Sequence, residues 1–144
     1  MNEHERIRPA TSADALALAA LLTAEGYPAG PTDLVERLSA FEDGRSAVMV
    51  AEASGETVGF VATHVMPRFE HGDRIARVLA LVVDEGVRER GFGHRLMAAA
   101  EQHAREQGCA FIEVTAGRHR QDARQLYESL GYEGAVAAYF RKRL

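Results

Sequence analysis

Arg88-Glu89-Arg90-Gly91-Phe92-Gly93 lies between two segments of different character. Residues 75–83 before it are apolar and rich in strand-forming side chains, and residues 94–107 after it carry apolar side chains at helical spacing. A glycine-bearing turn from a strand into a helix can bind an anion, because the first amides of the helix have no partner and the helix dipole favours negative charge. The sequence therefore predicts a phosphate-bearing ligand at this turn.

The segments on both sides of the turn predict an alternation of strands and helices. Short apolar runs bounded by turn residues predict strands over residues 4–10, 47–53, 57–65, 75–83, 109–115 and 135–141. Apolar residues at helical spacing predict helices over residues 13–25, 31–43, 94–107 and 120–130. Because this order mixes hairpins with crossovers, we expect an α/β fold with a mixed central β-sheet flanked by helices on both faces.

The composition narrows the classes of function. The 144 residues suit one domain over residues 1–144, with 47% hydrophobic and 26% charged residues as in ordinary soluble proteins. A net charge of -4 argues against general affinity for nucleic acid, and no apolar run approaches the ~20 residues that a membrane span needs. The single cysteine, Cys109, and a polar N-terminal segment predict a cytoplasmic location. Scattered histidines predict no metal site.

Two motifs resemble those of a known family. Residues 83–93, Val-Asp-Glu-Gly-Val-Arg-Glu-Arg-Gly-Phe-Gly, look like the acetyl-CoA motif of the GCN5-related N-acetyltransferases (GNAT), which is Q/R-x-x-G-x-G/A after a valine-rich strand. Residues 123–132, Ala-Arg-Gln-Leu-Tyr-Glu-Ser-Leu-Gly-Tyr, are similar to the family's A-x-x-L-Y-E-x-L-G-F/Y helix. Both stand in the expected order and separation. The resemblance implies the acyl-CoA N-acyltransferase (GNAT) fold and acetyl transfer from acetyl-CoA to an amine.

The resemblance also implies where acetyl-CoA binds. Main-chain groups of the strand before the turn would bind the pantetheine arm; these residues are Leu81, Val82 and Val83. The turn itself would hold the pyrophosphate through its backbone amides; its residues are Arg88, Glu89, Arg90, Gly91, Phe92 and Gly93. The two glycines lack side chains and so allow the phosphates to come close.

Two residues are the candidates for proton transfer. Tyr127 matches the family tyrosine that protonates the departing CoA thiolate, and a phenol pKa of ~10 is close to that of an alkyl thiol. Glu113, in Ile112-Glu113-Val114, resembles a glutamate that accepts the amine proton in bacterial ribosomal-protein N-terminal acetyltransferases. His64 and His71 are alternative bases, because histidine titrates near neutral pH. Arg120 stands where the family often has an asparagine that contacts pantetheine.

The acceptor stays open at this point. A small amine, an aminoglycoside-like compound, an amino acid and a protein N-terminus all fit, and we expect the acceptor pocket to be built from residues 25–32, residues 67–73 and the last hairpin. The apolar residues 137–140 are also able to pair with a second copy as a homodimer. The alternative function is a CoA-binding sensor or regulatory module without catalysis. A different nucleotide-binding α/β protein is less favoured, since the chain lacks G-x-x-x-x-G-K-[ST].

Overall fold

A computed structural model describes residues 4–116, 121–134 and 136–144 of the chain. In these ranges the strands are β1 (Glu5–Pro9), β2 (Ser46–Ala53), β3 (Glu56–Arg68), β4 (Asp73–Val83) and β5 (Phe111–Val114). The helices are α1 (Ala15–Ala24), α2 (Pro31–Ala40), α3 (Phe92–Glu106) and α4 (Gln121–Ser129). Short 3-10 turns cover Ser12–Asp14 and Glu85–Val87.

The strands form one sheet in the order β1-β2-β3-β4-β5. The first three pairs are antiparallel, while β4 and β5 are parallel. A parallel pair needs a crossover between its strands, and α3 is that crossover. The predicted mixed α/β sheet is confirmed.

Helices cover both faces of the sheet because the strands carry apolar side chains on both faces. Val50 and Ala51 are adjacent on β2 and both fully buried, so their side chains point to opposite faces. Ala51 packs in a cluster with Leu96 and Met97 of α3. Val50 packs in a second cluster with residues of α1 and α2, including Leu18 and Leu34. The expected covering of both faces is confirmed.

A buried carboxylate ties the start of the first helix to the sheet. Asp14, 4% exposed, accepts two hydrogen bonds of 2.8 Å from the Arg8 guanidinium. It also accepts one of 2.8 Å from the Thr11 amide and one of 2.9 Å from the Thr57 hydroxyl. The Arg8 hydrogen bonds are the main reason that the pKa of Asp14 falls to about 2.

The expected last strand over residues 135–141 is wrong for the part that the structure describes. Residues 136–144 have no strand pairing, and β5 forms the edge of the sheet in the described ranges. The segment is apolar at Val136 and Tyr139, but both side chains are more than half exposed. A run this short forms a strand only with a neighbour to pair with, and apolar content alone does not supply one. Among the described helices, none has the length and apolarity that a membrane crossing requires.

Candidate active site

A cleft opens at the point where β4 and β5 separate. β5 pairs with β4 only over Ile75–Val78. The following residues of β4, from Leu79 to Val83, have no β5 partner in the described part of the chain. They line a cleft of about 1500 Å³ whose other walls are the turn before α3, one face of α4 and the end of β5. Backbone N–H and C=O groups on this edge of β4 are therefore available to a ligand.

An extra residue in β4 marks the start of the cleft. The register with β3 runs from Ala62 opposite Ala80 to Thr63 opposite Val78, so Leu79 is the additional residue of a β-bulge. The bulge changes which side chains of β4 point to which face of the sheet. Val78 packs in the cluster with α3, whereas Ala80, two positions later, packs in the cluster with α1 and α2. Leu79 itself is 52% exposed in the cleft.

The sequence analysis did not identify Leu79 as a residue of the site. Residues 78–83 are all apolar, so their polarity does not show which side chains point to which face of the sheet. A bulge also depends on the register with the partner strand, which a single strand does not record.

The turn after β4 presents a row of backbone amides. The Asp84 carboxylate accepts a 3.1 Å hydrogen bond from the Gly86 amide, which fixes the first part of the turn. Glu89 and Gly91 then adopt positive φ angles of 68° and 84°, and α3 begins at Phe92. Within the described ranges, no hydrogen bond leaves the amide nitrogens of residues 89–94. Successive unpaired amides at a helix start are a geometry that suits an anion.

The two glycines of the turn serve different purposes. Gly91 lies in open space, and its left-handed backbone is what a residue with a side chain avoids. Gly93 has an ordinary backbone, but the side chain of Leu126 on α4 lies 3.2 Å from the place that a Cβ atom would occupy. Gly93 therefore lets α4 pack closely on the start of α3. Leu126 is a residue of the site that the sequence analysis did not single out.

The two arginine side chains of the turn form ion pairs with carboxylates elsewhere in the chain. Arg88 lines the cleft, forms an ion pair with Glu25 just after α1, and donates a 3.3 Å hydrogen bond to the Val83 carbonyl. Arg90 lies outside the residues that line the cleft. It forms a 3.2 Å ion pair with Glu5, and its guanidinium lies over the ring of Phe92.

Tyr127 lies on the half-buried face of α4 and lines the cleft. Its ring contacts that of Tyr132 at a centroid distance of 5.9 Å. The Tyr132 hydroxyl donates a 2.9 Å hydrogen bond to the Glu101 carboxylate of α3. Burial, and then this hydrogen bond, raise the pKa of Tyr132 well above its usual range. Tyr132 thus anchors the helix, and Tyr127 is the phenol of this pair that lines the cleft.

Comparison with known proteins identifies the fold and the type of enzyme. The model of the acetyltransferase (GNAT) family matches residues 15–132. This chain belongs to the GNAT family. It is 33% identical over 137 residues to an uncharacterised N-acetyltransferase, YhfO, of Bacillus subtilis, covering 88% of this chain and 89% of the relative. It is 31% identical over 102 residues to an aminoalkylphosphonate N-acetyltransferase of Salmonella typhimurium, covering 65% of this chain and 66% of that relative.

A solved structure shows the same fold. The aminoglycoside N-acetyltransferase AAC(6')-Iy, crystallised in complex with CoA, superposes with a TM-score of 0.84 at 18% identity, covering 100% of this chain and 98% of that one. The acyl-CoA N-acyltransferase fold and the assignment as a GNAT acetyltransferase enzyme are confirmed.

The candidate bases of this GNAT enzyme lie outside the residues that line the cleft. Glu113 on β5 forms a 2.9 Å ion pair with Arg77 on β4, and its side chain is 46% exposed. It precedes Val114 and Thr115, which do line the cleft. His64 bonds to the Ser46 hydroxyl at 2.8 Å. His71 is exposed in the turn between β3 and β4.

The walls of the cleft differ in part from those that the sequence analysis expected for the acceptor pocket. The cleft includes Glu25 and Tyr27 after α1, and Tyr139 and Arg141 of the C-terminal segment. Residues 67–73 contribute no wall to it, and Asp73 forms an ion pair with Arg68 instead. The loop over residues 67–73 is therefore not part of this cleft.

Two further expectations of the sequence analysis concern a missing asparagine and a metal. Arg120, at the asparagine position, lies outside the described residues. In the described ranges, no group of three or more histidine, cysteine, aspartate or glutamate side chains is arranged to hold a metal ion.

Proposed function

We propose that this enzyme transfers the acetyl group of acetyl-CoA to the primary amine of a small molecule, by direct transfer in a ternary complex. The observation that carries the proposal is the continuity of two features in one cleft. The unpaired edge of β4 leads directly into the turn whose amides, residues 89–94, have no partner in the described ranges. A long ligand with amide groups at one end and a pyrophosphate at the other fits this pair of features.

We assign the binding of acetyl-CoA to the residues that the sequence suggested. The main chain of Leu81, Val82 and Val83 pairs with the pantetheine amides in the manner of an added strand. The amides from Glu89 to Gly93 hold the pyrophosphate, and the α3 dipole adds to the attraction. The Arg88 amide already bonds to the Glu85 carbonyl at 3.4 Å. Bound acetyl-CoA supplies the thioester whose acetyl group is transferred.

The reaction replaces the C–S bond of the thioester by a C–N bond, and it needs two proton transfers. The neutral amine nitrogen attacks the thioester carbon, so a C–N bond forms and the C–S bond breaks. The Tyr127 phenol gives its proton to the sulfur that leaves, and a backbone amide on the cleft edge of β4 polarises the carbonyl. Glu113 accepts the proton that the amine loses. Because Val114 and Thr115 separate it from the reacting atoms, we propose that this proton passes through water at the cleft mouth.

A small-molecule acceptor has support from the relatives. One relative in sequence is an aminoalkylphosphonate N-acetyltransferase, and a structural neighbour is an aminoglycoside N-acetyltransferase. Both names describe amines small enough for a cleft of about 1500 Å³ that CoA also enters.

The proposal is tested by amine-dependent release of CoA from acetyl-CoA. We expect turnover with at least one small primary amine, and a Kd for CoA in the micromolar range typical of such co-substrates. Tyr127→Phe should lower kcat by about a hundredfold, the scale of one proton transfer, and leave the Kd for CoA unchanged. Tyr132→Phe is the matched control, because it removes the hydroxyl of the neighbouring ring that bonds to Glu101. Tight CoA binding without turnover of any amine would favour the sensor module instead.

A further inference from the structure

The side chain of Arg88 joins two walls of the cleft. Its Nε atom donates a 3.3 Å hydrogen bond to the Val83 carbonyl, at the end of β4. Its Nη2 atom donates a 2.5 Å hydrogen bond to the Glu25 carboxylate, directly after α1. All three residues line the cleft. One guanidinium therefore connects the edge of the sheet to the segment between α1 and α2.

The Val83 carbonyl belongs to the open edge of β4. The amide of the next residue, Asp84, donates a 2.8 Å hydrogen bond to the Val58 carbonyl of β3. Consecutive residues of a strand direct their N–H and C=O groups to opposite sides, so the Val83 groups point away from β3 and toward the cleft. Arg88 thus bonds to an acceptor on the edge to which we assigned the pantetheine arm.

Glu25, at the other end of the bridge, is a carboxylate that favours a cation beside it. It caps the C-terminal end of α1, where the helix dipole is negative. Its side chain is 16% exposed, whereas that of Arg88 is 41% exposed. The guanidinium is therefore the more accessible partner of this ion pair, and an anion that enters the cleft is able to reach it.

The turn provides a place for such an anion directly beside Arg88. The row of amides that have no partner in the described ranges begins at the next residue, Glu89. A pyrophosphate carries more negative charge than one carboxylate and offers several oxygens to a guanidinium. A pyrophosphate on this row therefore competes with Glu25 for the Arg88 side chain.

We propose that Arg88 changes partners when the co-substrate binds, and that Glu25 takes the guanidinium back when CoA leaves. On binding, the guanidinium moves from Glu25 to the pyrophosphate, and the Val83 carbonyl becomes available to a pantetheine amide. The inference rests on the proposed binding of acetyl-CoA and adds to it a residue outside the turn. Because Glu25 competes for the cation that holds the pyrophosphate, it weakens the binding of CoA and speeds its release.

The experiment measures the Kd for CoA by calorimetry and the rate of CoA release by displacement. Glu25→Gln removes the competing charge, so the Kd and the release rate should both fall about tenfold, the scale of one charge-assisted hydrogen bond. Glu25→Ala removes the acceptor oxygens as well and should act in the same direction. Glu85→Gln is the matched control and should change neither quantity. Glu85 lies 4.0 Å from the same guanidinium, but it is 87% exposed and is not among the residues that line the cleft.

The Arg88→Gln background separates the exchange of partners from simple repulsion. In that background Glu25→Gln should leave the Kd for CoA unchanged, because the guanidinium for which the carboxylate competes is absent. An equal fall of the Kd in both backgrounds would show that Glu25 only repels the phosphates, and would overturn the inference.

The failures of the two proposals are distinguishable, because these titrations need no acceptor. Turnover of an amine, together with an unchanged Kd for CoA in Glu25→Gln and Glu25→Ala, would overturn the inference and leave acetyl transfer intact. Tighter CoA binding in both variants without turnover of any amine would support the exchange and count against acetyl transfer. If the unmodified protein does not bind CoA, both proposals fail.

Discussion

At the scale of the residue, Gly91 shows how one backbone conformation shapes the candidate ligand site. Its φ of 84° turns the chain so that the amides of the turn follow one another into α3. Nothing lies within 4 Å of a Cβ atom built at this position, so space does not demand a glycine there. Glycine is favoured there by the backbone conformation, because a residue with a side chain pays about 1 kcal/mol in the left-handed region. The spacing of the two glycines in the sequence was enough to predict this turn.

Gly91→Ala is expected to separate that conformational cost from ligand binding. The substitution should lower the free energy of unfolding by about 1 kcal/mol and raise the Kd for CoA, because relief of the strain moves the amides. Gly108→Ala is the matched control: its φ is 74°, its surroundings are equally open, and it lies at the far end of α3. Chemical denaturation and calorimetry with CoA measure both quantities. An equal change of Kd in the two variants would contradict this role of Gly91.

A second residue-scale prediction concerns the candidate base. Glu113→Gln keeps the shape of the side chain and removes its ability to accept a proton, so kcat should fall about a hundredfold. His64→Gln serves as the comparison, because His64 is the rival base and bonds to Ser46 on β2. The measurement is kcat against pH with the best amine. If His64→Gln lowers kcat and Glu113→Gln does not, the assignment of the base is reversed.

At the scale of the element, α4 depends on a contact that the sequence did not reveal. The helix packs through Leu126 over Gly93, and Tyr132, three residues after the end of α4, bonds to Glu101 in the middle of α3. These partners are more than thirty positions apart for each pair, so local patterns do not record them. The helix itself was predicted from its apolar spacing. The prediction did not include the residues of α3 against which this helix packs.

Replacement of Tyr132 tests this anchor. Tyr132→Phe should lower the free energy of unfolding by about 1 to 2 kcal/mol, since one hydrogen bond to a carboxylate is lost. Glu101→Gln retains an acceptor and should cost less. In the double variant the two effects should not add, because both substitutions act on one hydrogen bond. Urea denaturation of the unmodified protein, the two single variants and the double variant completes this double-mutant cycle. Strictly additive changes in the free energy of unfolding would show that the contact contributes nothing.

The strands show the same division between local and distant information. The run before the turn was predicted as a strand because its residues are almost all apolar. The bulge at Leu79 and the separation from β5 beyond Val78 depend on partner strands, and both create the cleft. The last predicted strand failed for the same reason, since residues 136–144 have strand-like composition without a strand beside them. The motifs with candidate functional residues were therefore easier to predict than the strand pairings that form the cleft around them.

At the scale of the whole molecule, Asp14 joins three parts of the chain. Its carboxylate bonds to Arg8 on β1, to Thr57 on β3 and to the backbone at the start of the first helix. The folded state lowers the pKa of Asp14 from its usual 3.8 to about 2. A group with a lowered pKa stabilises the fold fully above its unfolded pKa, and the contribution disappears as the pH falls through the folded value.

Stability should therefore fall between about pH 4 and pH 2. The shift corresponds to about 2 kcal/mol, from 1.36 kcal/mol per unit, for a side chain that is 5% exposed. Asp14→Asn should be less stable at pH 7 and should show a flatter pH dependence within this window. Glu36→Gln, which removes an exposed carboxylate on α2, is the control. The measurement is urea denaturation at several pH values, and parallel curves for the native and Asp14→Asn proteins would refute the linkage.

The unpaired stretch of β4 also has a consequence for the behaviour of the protein in concentrated solution. From Leu79 to Val83 the strand offers roughly 16 Å of apolar edge, which is long enough to accept an extended segment of an unfolded neighbour. In the proposed complex, the co-substrate covers that edge. Precipitation on gentle heating should therefore slow when CoA is added, by more than the shift of the folding equilibrium explains. We therefore expect the proposed co-substrate to protect this enzyme from aggregation.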